Sequence, residues 1–350
     1  MSSDALAKED WSFGGLRRTV GATGSCPWGS TDGSMEQRAS SVIITDVTLR
    51  EYGQNVPSNS LDDFSPQIRI DIAQMLIRLG FRSIEVISCV HPRIAPAMSE
   101  EAIKTIGRGL GRVGASNIVT LVPNKAGYRR FLSYGFGPDG YNHSAGVFFS
   151  AVEAHNFLNL GCSIQETLEE VKVIAKDAAS RGVKLVAYLS AAFGFRESET
   201  GNILRVDAQH IAGHLDLLFD LGAATVTLSD LQGVANQEET RKLLDDSLNL
   251  RKGRDMGRIG YHPHHVSGPE AIANSMAAYD IGIRRFDASL GGTGGCVTGA
   301  PGNQPTEALV RSFEDKGIKT GLKPEEVSAL ADFVGKELYH KIELRPRNAG

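Results

Sequence analysis

Cysteine is scarce in this 350-residue chain: Cys26, Cys89, Cys162 and Cys296 are widely separated and form no CxxC pair. That scatter excludes a disulfide framework and a zinc-finger module, and it points to a reducing, cytoplasmic setting. Long apolar runs are missing too. None reaches the roughly 18 to 20 residues that a membrane span needs, so no membrane partner is expected. Charge of one sign is also lacking. With 37 Lys and Arg against 41 Asp and Glu, the formal net charge is −4, which excludes the concentrated basic surface of a nucleic-acid binder. Neither GxxxxGK[ST] nor a GxGxxG leading into a helix occurs, so the glycines do not spell a phosphate loop.

Residues 1 to about 40 are rich in Gly, Ser and Thr and show no helical or strand period, which marks a flexible N-terminal extension. A signal peptide's apolar core is absent, and Asp4, Glu9 and Asp10 argue against a transit peptide. The alternative is an arm anchored on a neighbouring subunit by Trp11 or Trp28.

What is present from residue 41 onward is alternation. Short β-branched runs at 42–48, 83–87, 117–121, 147–150, 185–190, 225–229, 259–262 and 285–288 predict eight strands. The near-continuous apolar stretches Val42-Ile43-Ile44 and Leu185-Val186-Ala187 suit parallel strands covered on both faces. Between them lie helices with one apolar stripe. Ile68, Ile72, Met75, Leu76 and Leu79 fall at three- and four-residue spacing before the stop at Gly80. Ser163 and Glu166 form a capping box for a helix that stops at Gly182. Repetition of this unit predicts a parallel α/β fold, and eight strands predict closure into a (β/α)8 TIM barrel. An open doubly wound sheet is the alternative, but it places a Gly-rich turn after its first strand, where this chain has Thr48-Leu49-Arg50-Glu51. The barrel domain is expected over 41–322. A last barrel helix follows at 306–316, and then a C-terminal helical extension over 323–350, with its helix at 324–339.

Barrel enzymes gather their chemistry at the C-terminal ends of the strands. There the chain delivers His262 and His264, two apart on a strand end, so both imidazoles project to one face. Glu51 and Asn303 arrive from neighbouring strands. Two imidazoles, a carboxylate and an amide make a mixed N/O divalent-cation site that suits Mg²⁺ or Mn²⁺, with Co²⁺ and Zn²⁺ also compatible. Arg50 carries a planar fork of donors fit for an enolate or carboxylate oxygen. Cys296 sits in a glycine-rich loop that can carry a thiol to a substrate. Gln54, His155, Tyr188 and Ser190 stand at other strand ends as substrate contacts. Lys125, Arg129 and Arg130 read as a solvated helix face.

These residues resemble those of 3-hydroxy-3-methylglutaryl-CoA lyase and its relatives, the DRE-TIM metallolyases, along most of the chain. LREYGQN resembles the family's RDGLQN, IEVISCVHPRIAPAM its IEATSFVSPKWVPQM, and NLGCSIQETLEE its NINCSIEES. TLSDLQGVA is similar to SLGDTIGVG, GYHPHHVSG to HCHDTYG, and GGTGGCVTGAPGNQPTE to GLGGCPYAQGASGNLATE. The resemblance implies metal ligation by Glu51, His262, His264 and Asn303. It implies Arg50 as the cation that holds enolate charge, Cys296 as the mobile thiol, and Glu85, Asp230 and Glu307 as polar groups that orient substrate or relay protons. The chain departs from the family pattern in carrying Glu51 and His265 where the family has Asp, in a shorter loop before Asn303, and in Phe193-Gly194-Phe195 where the family has Cys-Pro-Tyr.

The implied activity is a metal-dependent retro-Claisen or retro-aldol cleavage of a 3-hydroxy acyl-CoA or hydroxy-carboxylate, in a homodimer. Two alternatives are the same machinery run as a Claisen-type condensation, as in isopropylmalate and citramalate synthases, and a barrel that binds without turnover.

Overall fold

The computed structural model describes residues 41–251, 253, 255–264, 269–294 and 302–339. The N-terminal segment with Trp11 and Trp28, and the positions of His265 and Cys296, lie outside the described residues.

The strands are β1 (Ile43–Asp46), β2 (Ser83–Ser88), β3 (Asn117–Leu121), β4 (Ser144–Ser150), β5 (Leu185–Ser190), β6 (Phe195–Arg196), β7 (Ile203–Leu204), β8 (Val226–Asp230), β9 (Ile259–Pro263) and β10 (Arg285–Ala288). The helices are α1 (Thr48–Asn55), α2 (Pro66–Leu79), α3 (Glu100–Leu110), α4 (Lys125–Ser133), α5 (Glu153–Leu160), α6 (Ile164–Arg181), α7 (Ala208–Asp220), α8 (Gln237–Leu250), α9 (Pro269–Ile281), α10 (Thr306–Asp315) and α11 (Pro324–Val334). Eight strands close into a barrel in the order β1-β10-β9-β8-β5-β4-β3-β2, all parallel, as expected of a (β/α)8 TIM barrel. β2, β5, β8 and β9 are buried along their whole length, as parallel barrel strands covered on both faces are.

The local signals act as expected. Ser65 Oγ accepts from Ile68 N at the start of α2, and Gly80 ends it at φ 100°. Ser163 and Glu166 complete the capping box of α6, and Gly182 closes it at φ 68°.

Three details differ from the sequence reading. β1 ends at Asp46 rather than 48, because the Asp46 carboxylate accepts the Thr48 N–H at 3.1 Å and turns the chain into α1. Arg50 and Glu51 therefore sit on a helix, not on a strand end. A two-stranded antiparallel hairpin, β6 with β7, is inserted between β5 and α7. Strands of two residues leave no alternating run to detect.

Among the described residues no helix is long and apolar enough to cross a membrane. The end of α11 continues into a wider π turn at Gly335–Tyr339 that packs back on the barrel. The Tyr339 ring packs at a tilt against Tyr52 of α1, centroids 4.8 Å apart, and its hydroxyl donates to Leu290 O at 3.0 Å and accepts from Thr293 Oγ1 at 2.6 Å.

Candidate metal centre and substrate pocket

β9 carries His262 near its end, and His264 follows one residue past the strand. Both are buried, and their Nε2 atoms lie 3.0 Å apart. Glu51, from the first turn of α1, brings a carboxylate oxygen to the same point: its ligand atom and those of the two histidines all lie within 4.8 Å of one another. Burial pushes the Glu51 carboxyl up, but Arg50, His264 and His262 outweigh it and hold the group below its usual range.

Asn303 faces the same place. It bridges His264 in a short antiparallel pairing, and its Nδ2 donates to Thr293 O at 3.0 Å. Its Oδ1 is buried without a hydrogen-bond partner. A buried amide oxygen in that state carries a desolvation cost that a cation would remove. Gly294 closes over the group: a Cβ there would stand 2.7 Å from Glu51 Cβ and 2.8 Å from Asn303 Nδ2, and its φ is +96°. The donor set of a carboxylate, two imidazoles and a free amide oxygen fits a divalent ion.

Beside this cluster Arg50 joins three acidic or phenolic groups. Its guanidinium pairs with Glu51, and its Nε donates to Glu85 Oε2 at 2.6 Å. The Tyr188 hydroxyl donates to the other Glu85 oxygen. Burial, the largest influence, raises the Glu85 carboxyl; Arg50 opposes this and Asp287 adds to it. Burial works against the Arg50 charge, but Glu51 and Glu85 together hold it firmly protonated.

A cavity of about 350 Å³ opens on these groups. Arg50, Glu51, Gln54, Tyr188, Ser190, His262 and His264 line it, together with the apolar side chains of Val90, Leu121 and Phe148. His91, Asn124, Arg130 and Asn159, from the segments that follow β2, β3 and β4, also line it. Arg130 thus departs from the solvated-face reading. Its Nη2 is fixed on Cys89 O, a contact between distant segments that spacing along α4 does not reveal.

Three expected residues fall elsewhere. His155 is fully buried outside the cavity, with Nδ1 3.1 Å from Ser150 Oγ and its ring 5.1 Å from that of Phe195. Asp230 spends both carboxylate oxygens on the N–H groups of Val234 and Ala235, each at 3.0 Å, so it shapes the turn after β8. Glu307, in the first turn of α10, accepts the Gly291 N–H at 3.1 Å. Cys296 lies outside the described residues. The sequence reading missed Asp287 of β10, whose Oδ2 is 3.2 Å from His262 Nδ1. The only signal for it is a lone acid between two apolar residues of a buried strand.

A family model described as HMGL-like matches residues 41–334. Among curated proteins, the hydroxymethylglutaryl-CoA lyase of Bacillus subtilis is 31% identical over 298 residues, which cover 83% of this chain and 93% of that one. The crystal structure of the Bacillus subtilis HMG-CoA lyase superposes with a TM-score of 0.74 at 31% identity, covering 85% of this chain and 94% of that one. An HMG-CoA lyase from Acinetobacter baumannii, solved with coenzyme A and 3-methylmalate, shares the fold at a TM-score of 0.74 and 24% identity, covering 89% and 96%. These matches favour neither the condensing-enzyme nor the non-catalytic alternative.

Proposed function

The chain belongs to the HMGL-like family and is a carbon–carbon lyase, and on that premise we propose that it cleaves a 3-hydroxy acyl-CoA of the hydroxymethylglutaryl type, with Mg²⁺ or Mn²⁺ held by Glu51, His262, His264 and Asn303. The observation that carries the reading is the convergence of Glu51, His262 and His264 within 4.8 Å, in a cavity that Arg50 also lines.

A divalent ion held by Glu51, His262, His264 and Asn303 would supply Lewis acidity beside the substrate. Arg50 places a permanent positive charge where enolate charge grows as the carbon–carbon bond breaks, and a preorganised cation in a buried site costs no reorganisation at that moment. Glu85 holds Arg50 in position through its Nε, and Tyr188 steadies Glu85 in turn. Gln54 and Ser190 offer hydrogen bonds to the polar end of the substrate, while Val90, Leu121 and Phe148 exclude water around the breaking bond. Cys296 returns a proton to the enolate carbon, an assignment that rests on the likeness of its glycine-rich loop alone. Arg130, Asn124 and His91 provide polar contacts for the coenzyme A portion. We assign no role in the chemistry to Asp230, Glu307 or His155.

The test is direct. Purified protein freed of metal by a chelator and given hydroxymethylglutaryl-CoA is expected to release acetyl-CoA and acetoacetate only after Mg²⁺ or Mn²⁺ is restored. No thioester product with either ion, at any substrate concentration, would remove this assignment.

A further inference from the structure

We infer that Asp287 is a positioning residue for the metal centre: its carboxylate accepts the Nδ1–H of His262 and so turns Nε2 toward Glu51 and His264. The inference rests on the metal reading above. β10 pairs in parallel with β9, Arg285 beside Gly260 and Phe286 beside Tyr261, so the next step along both strands brings Asp287 alongside His262. Asp287 Oδ2 lies 3.2 Å from His262 Nδ1, and both side chains are buried. A neutral imidazole carries one proton. If Nε2 is to offer a lone pair, that proton must sit on Nδ1, and a carboxylate placed against Nδ1 selects that tautomer and fixes the ring plane.

Asp287 is tied to the other side of the centre as well. Its main-chain oxygen accepts from Gln304 Nε2 at 2.8 Å, and Gln304 Oε1 in turn accepts from Ser275 Oγ of α9 at 2.8 Å. Gln304 is fully buried and directly follows Asn303. One strand residue therefore holds a histidine through its side chain and the Asn303 segment through its backbone. It is not among the residues that line the cavity.

The experiment reads the tautomer first. In ¹⁵N-histidine-labelled, metal-free protein, with the His262 signals assigned by a His262→Gln variant, the Nδ1–H form is expected in the native chain. It should be lost in Asp287→Ala and kept in Asp287→Asn, whose amide oxygen still accepts. Calorimetric titration with Mn²⁺ should then show binding about 10- to 100-fold weaker in Asp287→Ala and recovered toward native in Asp287→Asn. An Nε2–H tautomer in the native protein, or native Mn²⁺ affinity in Asp287→Ala, would overturn the inference. Should Asp287→Ala fail to fold, Asp287→Asn decides: retained tautomer and affinity support it, and loss of either overturns it. A native protein that binds no Mn²⁺ would count against the metal reading, while the tautomer still reports on Asp287 and His262 by themselves.

Discussion

His262 and His264 present their Nε2 atoms 3.0 Å apart, with the Glu51 carboxylate closing the third side. Replacing either histidine by Ala removes one donor from a set with only two imidazoles among the described residues. Each variant should retain less than about a tenth of the native divalent-ion content after dialysis, and turnover should fall at least about 100-fold. Elemental analysis and acetyl-CoA release measure the two effects. Native metal content in both variants would place the ion elsewhere.

Arg50→Gln separates charge from packing. Removing the guanidinium should cost about 3 kcal/mol or more of transition-state stabilisation, or at least about 100-fold in kcat. Glu85 is also left buried without its cation, so the melting temperature should drop. Because burial already raises the Glu85 carboxyl, the variant is expected to take up a proton there and recover part of its stability below neutral pH. Near-native kcat with intact metal would show that Arg50 does not face the reacting atoms.

Gly294→Ala probes how closely the loop after β10 covers the centre. An added methyl meets Glu51 Cβ and Asn303 Nδ2 at under 3 Å, in a backbone conformation that L side chains rarely adopt. Metal affinity should fall by at least about tenfold, with the barrel's own unfolding little changed. Equal affinity in calorimetry would mean that the loop yields freely.

Two buried histidines away from the cavity add to the acid sensitivity of the fold. Burial holds His143 down at about 3 and His155 at about 4, against about 6.5 in an unfolded chain. The folded state thus binds fewer protons, so the stability each contributes is fully present above pH 6.5 and is lost as pH falls toward those lower values. Each residue adds a slope of up to about 1.4 kcal/mol per pH unit across that window. Urea unfolding between pH 7 and 4.5 should show a shallower decline for His143→Gln than for the native chain. Identical slopes would exclude His143 as a source of acid sensitivity.

The barrel was legible because its signals are local: apolar runs for strands buried on both faces, and caps such as Ser163 with Glu166 that act within four residues. The hairpin of β6 and β7 was not, since pairs of two residues carry no period. Site residues divide in the same way. His262 and His264 announce themselves by their spacing at the end of one strand. His155 and Asp230 do not, because nothing along the sequence tells that α5 turns the imidazole away from the cavity or that Val234 and Ala235 fold back onto the Asp230 carboxylate. Asp287 stayed hidden for the opposite reason: its partner His262 lies 25 positions away, joined to it only by strand register.

Tyr339 ties the last described turn to the candidate site. Its ring lies on Tyr52, the neighbour of Glu51, and its hydroxyl grips Thr293, whose carbonyl receives the Asn303 amide. Two candidate ligands on separate segments are thus bolted together from outside by one phenol that does not line the cavity. Trimming the polypeptide ahead of that turn would leave every proposed ligand in place yet loosen the frame that spaces them.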